Sequence, residues 1–262
     1  MKNIVLFHPY VPKNTGSRVS EVLKTRWIGQ GPKVEEFENQ FKEYFTSNLN
    51  CIAVGSGTDA LHLSYLCADI REGDEVIAPV FTCTATNIPL LYIGANIKFA
   101  DVDRKTMNID IDHVKTLVNE KTKAIVCVHY GGLPCNMSEL IKISNYYNIP
   151  IIQDSAHALG AKYSDQKIAD MTDFSCFSFQ AIKSITTGDG GMLVLNDNLK
   201  SRKAKRLRWF GIDREKKQKG IWENDITEIG YKYQMTDIAA IMGICGLDSF
   251  DDQLNHRRKL YM

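Results

Sequence analysis

Lys183 stands in the stretch Phe177-Ser-Phe-Gln-Ala-Ile-Lys-Ser-Ile-Thr-Thr-Gly-Asp-Gly-Gly191, between an aromatic run and a loop with three glycines in four residues. Two chemistries are open to a lysine so placed. Its long stem can carry the ammonium out to water, or burial can lower its pKa so that the neutral amine attacks a carbonyl. Asp154 closes the apolar run Pro150-Ile-Ile-Gln-Asp and is followed by Ser155 and His157. A carboxylate there either caps a helix or faces a ligand, and the histidine is either structural or part of the same site. Ser56-Gly57-Thr58-Asp59 opens a helical pattern. Its free backbone N–H groups could receive a phosphate, or one of the capping types Ser56, Thr58 and Asp59 could serve only as an N-cap.

The elements that must position these residues read as α/β. Cys51–Val54, Glu75–Pro79, Ile97–Val102, Ala124–His129, Pro150–Asp154, Asp173–Phe179 and Gly191–Leu195 are short apolar runs separated by helix-length intervals. Near-continuous apolar strands predict a mostly parallel sheet covered on both faces. Ligands gather at the carboxyl ends of such strands. There lie Ser56-Gly57-Thr58, Phe81-Thr82, His129-Tyr130-Gly131, Asp154–His157 and Ser178, and they are expected to converge. Upstream, Val34, Phe37, Phe41 and Phe45 recur at helical spacing after the turn Trp27-Ile-Gly-Gln-Gly-Pro32. Downstream, a helix starts at Thr236 or Asp237, and Leu247, Phe250, Leu254 and Tyr261 continue a helical pattern to the end.

Composition narrows the function classes. The 262 residues carry 32 Lys+Arg against 31 Asp+Glu, so the balanced charge speaks against nucleic acid as a partner. The ten basic residues of Lys200–Lys219 read as a solvated helix face. No apolar run of membrane-spanning length occurs, and the opening Met1-Lys-Asn-Ile-Val-Leu-Phe-His-Pro9 is too short in apolar residues for a signal peptide. Seven scattered cysteines, never spaced C-x-x-C, predict neither a disulfide framework nor a metal site, and a reducing cytoplasm fits them.

Together these stretches resemble the DegT/DnrJ family of nucleotide-sugar aminotransferases, fold-type-I enzymes that use pyridoxal 5′-phosphate (PLP). The resemblance runs from about Trp27 to Arg258. It rests on Trp-Ile-Gly-Gln-Gly-Pro (27–32), Ser-Gly-Thr-Asp-Ala-Leu (56–61), Gly-Asp-Glu-Val-Ile (73–77), Phe-Thr-Cys-Thr-Ala-Thr (81–86) and Asp-Ser-Ala-His (154–157). Phe-Ser-Phe-x-x-x-Lys (177–183), Thr-Thr-Gly-Asp-Gly-Gly (186–191) and Tyr231–Gly243 complete it. It implies a three-layer α/β/α large domain with a mostly parallel seven-stranded sheet. Lys183 is implied as the Schiff-base lysine and Asp154 as the carboxylate on the pyridine nitrogen. Gly57, Thr58 and Ser178 would hold the phosphate, Phe81 would stack on the ring, and His157 would approach the phenolic oxygen. The substrates implied are a keto-sugar nucleotide and an amino-acid donor, glutamate, in a homodimer of cytoplasmic subunits.

This sequence departs from the family pattern in places. The late Gly-Tyr-x-Tyr-x-Met motif holds Lys232 and Gln234 where relatives often carry Asn and Arg. Lys232 could still meet a phosphate of the partner subunit as a point charge. Residues 1–235 are expected to form the PLP-binding domain, with a helical segment over 1–50. Residues 236–262 are expected to begin the helix leading to a small C-terminal domain that is largely absent. A non-catalytic fragment or regulator is therefore one alternative. Another fold-type-I activity, lyase or desulfurase, is a second, although no cysteine stands out in a loop as a desulfurase would need.

Overall fold

A computed structural model of the chain describes residues 5, 7–221, 226 and 228–261; Met1–Ile4 and Leu6 of the opening segment, and Met262, lie outside the described residues. Helices α1 (Thr15–Leu23) and α2 (Pro32–Phe45) precede β1 (Asn50–Val54), α3 (Gly57–Cys67), β2 (Glu75–Pro79) and α4 (Thr84–Ile93). Then come β3 (Asn96–Ala100), α5 (Ile111–Leu117), β4 (Thr122–Val128), α6 (Met137–Tyr147) and β5 (Ile151–Asp154). A short hairpin, β6 (Lys162–Tyr163) and β7 (Gln166–Lys167), leads to β8 (Phe174–Ser178) and β9 (Gly191–Leu195). Helices α7 (Asn198–Leu207), α8 (Arg214–Gln218), α9 (Asp237–Asp248) and α10 (Phe250–Tyr261) follow.

Seven strands form one sheet in the order β1-β9-β8-β5-β4-β2-β3. Strand β9 runs antiparallel to β8 and β1, and the other pairs are parallel. Alternate residues of each strand enter two separate cores. Ile52, Val126, Ile152 and Leu193 pack with Leu61, Leu63 and Tyr65 of α3. On the opposite face Ala53, Ile125, Ile151 and Val194 pack with Phe37 and Phe41 of α2, Leu140 of α6, and Ile241 and Ile244 of α9. The expected three-layer α/β/α arrangement with its mostly parallel seven-stranded sheet is the observed one. Among the described residues no helix is long and apolar enough to cross a membrane.

The α2 stripe docks as its period requires. Phe41 meets Phe177 edge-on at 5.4 Å between ring centroids, and Phe37 meets Phe179 at 5.2 Å. These contacts anchor the aromatic strand that leads into the Lys183 loop. The final helical pattern is broken rather than continuous. Ser249 ends α9 and α10 restarts at Phe250, while Leu247 and Phe250 are both buried. The Tyr261 side chain lies outside the described residues. The basic run is only partly a solvated face. Arg208 is buried and bonds Glu38 at 2.6 Å and the Ala53 carbonyl at 2.8 Å.

Thr236 caps α9 through the Ala239 N–H. Asp237 does something else. Its buried carboxylate accepts from the N–H groups of Gly31 (2.7 Å), Lys33 (3.1 Å) and Val34 (3.1 Å) at the start of α2. A negative charge is thus set on the positive end of a helix dipole, and three otherwise orphaned donors are satisfied. Asp237→Ala is expected to cost about 2–4 kcal/mol of stability, since a bond to a charged group is worth roughly 1.5–3 kcal/mol, the Val34 donor stays buried, and water can reach the part-buried Gly31 and Lys33 donors. Urea denaturation measures it. A change below about 0.5 kcal/mol would mean that water replaces the carboxylate without loss.

Candidate active site

The turn between β1 and α3 is shaped by close packing. Ser56 is the N-cap, its hydroxyl accepting from the Asp59 N–H at 3.0 Å. Gly57 follows, and a Cβ there would lie 2.9 Å from the Ser178 Cβ. Gly191, opening β9, would drive a Cβ to 2.3 Å from the Ser56 carbonyl oxygen. Only glycine lets these backbones approach so closely. The result is a helix N-terminus beside the Ser178 hydroxyl, with the Gly57 and Thr58 N–H groups in the first turn where α-helical bonding leaves donors free. The turn is braced from outside by the Gly55 N–H, which donates to the Tyr233 carbonyl at 2.8 Å.

Asp154 ends β5 at the same edge of the sheet. It is buried, and each oxygen has a partner: Oδ2 accepts from the Thr86 hydroxyl at 2.7 Å, and Oδ1 from the Ala156 N–H at 3.1 Å. Lys183 lies in the loop between β8 and β9, half-buried, with its own N–H donating to the Gln180 carbonyl at 2.8 Å. Burial holds the Lys183 amine below the ordinary lysine value, while Asp154 and Cys83 act in the opposite direction. A cation-forming group and a buried carboxylate therefore face one region. Desolvation leaves the amine easier to deprotonate, which is the state in which it is a nucleophile.

The aromatic side of the site comes from two loops. The exposed Phe81, after β2, lies 5.0 Å from the ring of Tyr130, after β4, and Tyr130 meets the His157 ring edge-on at 6.0 Å. Burial first and Lys183 second hold His157 below the ordinary histidine value, so the imidazole favours its neutral form. The structure thus brings together Gly57 with Ser178, Phe81 with His157, and Asp154 with Lys183. It does not bring in Lys232, which is exposed with its ammonium 5.1 Å from the Phe210 ring centroid.

His129, expected to join the site, is turned into the opposite core. Its Nε2 lies 2.8 Å from Gln153 Oε1, and its Nδ1 accepts from the Cys135 N–H at 3.1 Å. With Cys127 and Cys135 it gathers three potential metal-ligating atoms within 4.8 Å of one another, an association that the scattered cysteine positions did not disclose. Strand parity explains the turn: His129 shares a face with Cys127, not with Val126 and Val128. Sequence reasoning also missed Thr86 as the partner of Asp154. Contrary to the expectation that no cysteine stands out, Cys83 is exposed in the loop leading into α4 and close enough to influence Lys183.

These residues fit PLP. The Gly57–Ser178 cradle, too tight for a side chain, suits a phosphate on backbone donors. The buried Asp154 suits a protonated ring nitrogen, and Lys183 suits a carbonyl carbon.

The GDP-perosamine synthase of Escherichia coli O157:H7 is 35% identical over 266 residues, covering 99% of this chain and 70% of that protein. The spore coat polysaccharide biosynthesis protein SpsC of Bacillus subtilis is 33% identical over 256 residues, 96% of this chain and 66% of that protein. Spr1654 of Streptococcus pneumoniae, assigned as a sugar aminotransferase and solved in its PLP form, superposes with a TM-score of 0.91 at 30% identity, covering 99% of this chain and 70% of that one. The chain thus spans about two thirds of the length of these relatives. The profile of the DegT/DnrJ/EryC1/StrS aminotransferase family matches residues 10–262, and the chain belongs to that PLP-dependent family.

Proposed function

We propose that this chain transfers an amino group from an amino acid, glutamate, to a keto-sugar nucleotide, using Lys183 and Asp154 in a cytoplasmic homodimer. The observation that carries the reading is the half-buried amine of Lys183 set against the buried, doubly hydrogen-bonded Asp154 beside the Gly57–Ser178 cradle. PLP, when bound, supplies the electron sink that lets a proton leave the donor's α-carbon. The Gly57 and Thr58 N–H groups and the Ser178 hydroxyl would hold its phosphate. Phe81 would cover its ring and His157 would approach its phenolic oxygen. Asp154 would keep a proton on the ring nitrogen by charge. Lys183 Nζ, neutral when it acts, would attach the coenzyme and would carry the proton taken from the donor's α-carbon. Lys232, exposed on the Phe210 ring, would reach the phosphate in the partner subunit.

Relatives named for a GDP-linked sugar and for spore coat polysaccharide support a nucleotide-sugar acceptor in polysaccharide synthesis. Cys83 favours one second reading, desulfurase chemistry, because its thiol is exposed near Lys183. The experiment is turnover of the PLP-loaded protein with glutamate and a panel of keto-sugar nucleotides, beside cysteine alone. Amino-sugar nucleotide formed with 2-oxoglutarate is the expected result. Alanine formed from cysteine, with sulfide released when an added thiol reductant reduces the Cys83 persulfide, and both lost in Cys83→Ser, would support the second reading. Coenzyme bound with no turnover of any substrate would overturn both in favour of a non-catalytic role.

A further inference from the structure

Asp154 is held by an ordered chain of hydroxyls whose direction can be worked out. A carboxylate only accepts, so the 2.7 Å contact between Thr86 Oγ1 and Asp154 Oδ2 uses the single proton of the Thr86 hydroxyl. The 2.7 Å contact between Thr82 and Thr86 must then have Thr82 as its donor. Thr86 is fully buried. Its backbone is pinned as well, its carbonyl accepting from the Tyr65 hydroxyl at 2.8 Å and its N–H donating to the Cys83 carbonyl at 3.0 Å. Tyr65 is itself without exposure. The first turn of α4 is therefore a rigid mount for one hydroxyl donor.

We infer that Thr86, backed by Thr82, is a positioning residue for Asp154: the Thr82-to-Thr86-to-Asp154 chain fixes the carboxylate plane and sets how tightly it holds the proton it shares with the coenzyme ring nitrogen. The inference rests on the coenzyme reading proposed above. With Thr86 on Oδ2 and the Ala156 N–H on Oδ1, the carboxylate cannot rotate without losing both bonds. Hydrogen bonds to an ionised group favour that ionised form, and hydroxyls in series polarise one another. Removing the donor makes Asp154 hold the shared proton more closely. The ring nitrogen then carries less positive charge and withdraws fewer electrons from the carbon bonded to Lys183. The pH at which the lysine-bound coenzyme gains its own proton rises in consequence.

The experiment compares PLP-loaded wild type with Thr86→Val, Thr86→Ser and Thr82→Val. It reads the pH midpoint of the visible absorbance of the bound coenzyme, together with PLP affinity by dialysis. Thr86→Val is expected to raise the midpoint by about half a unit to one unit and to weaken PLP binding about tenfold to a hundredfold, the range for a lost hydrogen bond to a charged group. Thr86→Ser, which keeps the donor, is expected to restore both, and Thr82→Val to shift the midpoint less and in the same direction. In an Asp154→Asn background Thr86→Val should add no further midpoint shift. An unmoved midpoint in Thr86→Val with the coenzyme still on Lys183, or a serine that fails to restore it, would overturn this inference alone. Wild type that retains no coenzyme on Lys183 would overturn the inference together with the coenzyme reading.

Discussion

Lys183→Ala is expected to abolish covalent retention of PLP and to lower amino transfer on the order of 10⁴-fold or more, since one residue serves as nucleophile and as proton carrier. Lys183→Arg should be no better. A guanidinium stays protonated at any working pH and cannot attack a carbonyl. The wild-type amine behaves differently because burial depresses its pKa. Only the deprotonated amine reacts, so the rate of coenzyme attachment rises with pH and levels off once the pH passes that pKa. The midpoint of this rise should lie below the ordinary lysine value of 10.5. A midpoint at or above it, measured by stopped-flow mixing with PLP, would show that Lys183 is an ordinary solvated lysine.

Asp154→Asn comes second in size. The substitution keeps shape and the bond from Thr86 but removes the charge that holds a proton on the ring nitrogen. Breaking a buried ion pair costs about 3–5 kcal/mol, which is about two to four decades in rate. The kcat for glutamate and the acceptor sugar, measured with saturating PLP, checks it. A variant within threefold of wild type would reduce Asp154 to a support for the Ala156 turn.

The parts of this arrangement differ in how far the sequence discloses them. Phe37, Phe41 and Phe45 are legible because helical period alone decides which face is buried, and all three are buried. A cap among Ser56, Thr58 and Asp59 is legible because capping is local, and the structure gives the place to Ser56, three residues before Asp59. Lys183 and Asp154 draw notice by type and by position at strand ends, but their pairing became an expectation only through the family resemblance. Thr86 is silent in sequence. A threonine early in a helix reads as ordinary, and its partner Asp154 is 68 residues away, brought to it only by the tertiary fold. Asp237 is silent for the same reason, since the donors it satisfies lie more than two hundred residues upstream. His129 was within reach of period-two reasoning. Its parity with Cys127 and Ile125 sends it to the core of α2 and α6 rather than to the ligand edge.

The proposed activity turns on one bond, between Lys183 and the coenzyme. Borohydride reduction of the PLP-loaded protein, followed by proteolysis and mass spectrometry, reads that bond directly. The predicted result is a single phosphopyridoxyl group on the peptide containing Lys183, lost in Lys183→Ala and weakened when Gly57→Ala crowds Ser178. Labelling of a different lysine, or no labelling at all, would contradict it.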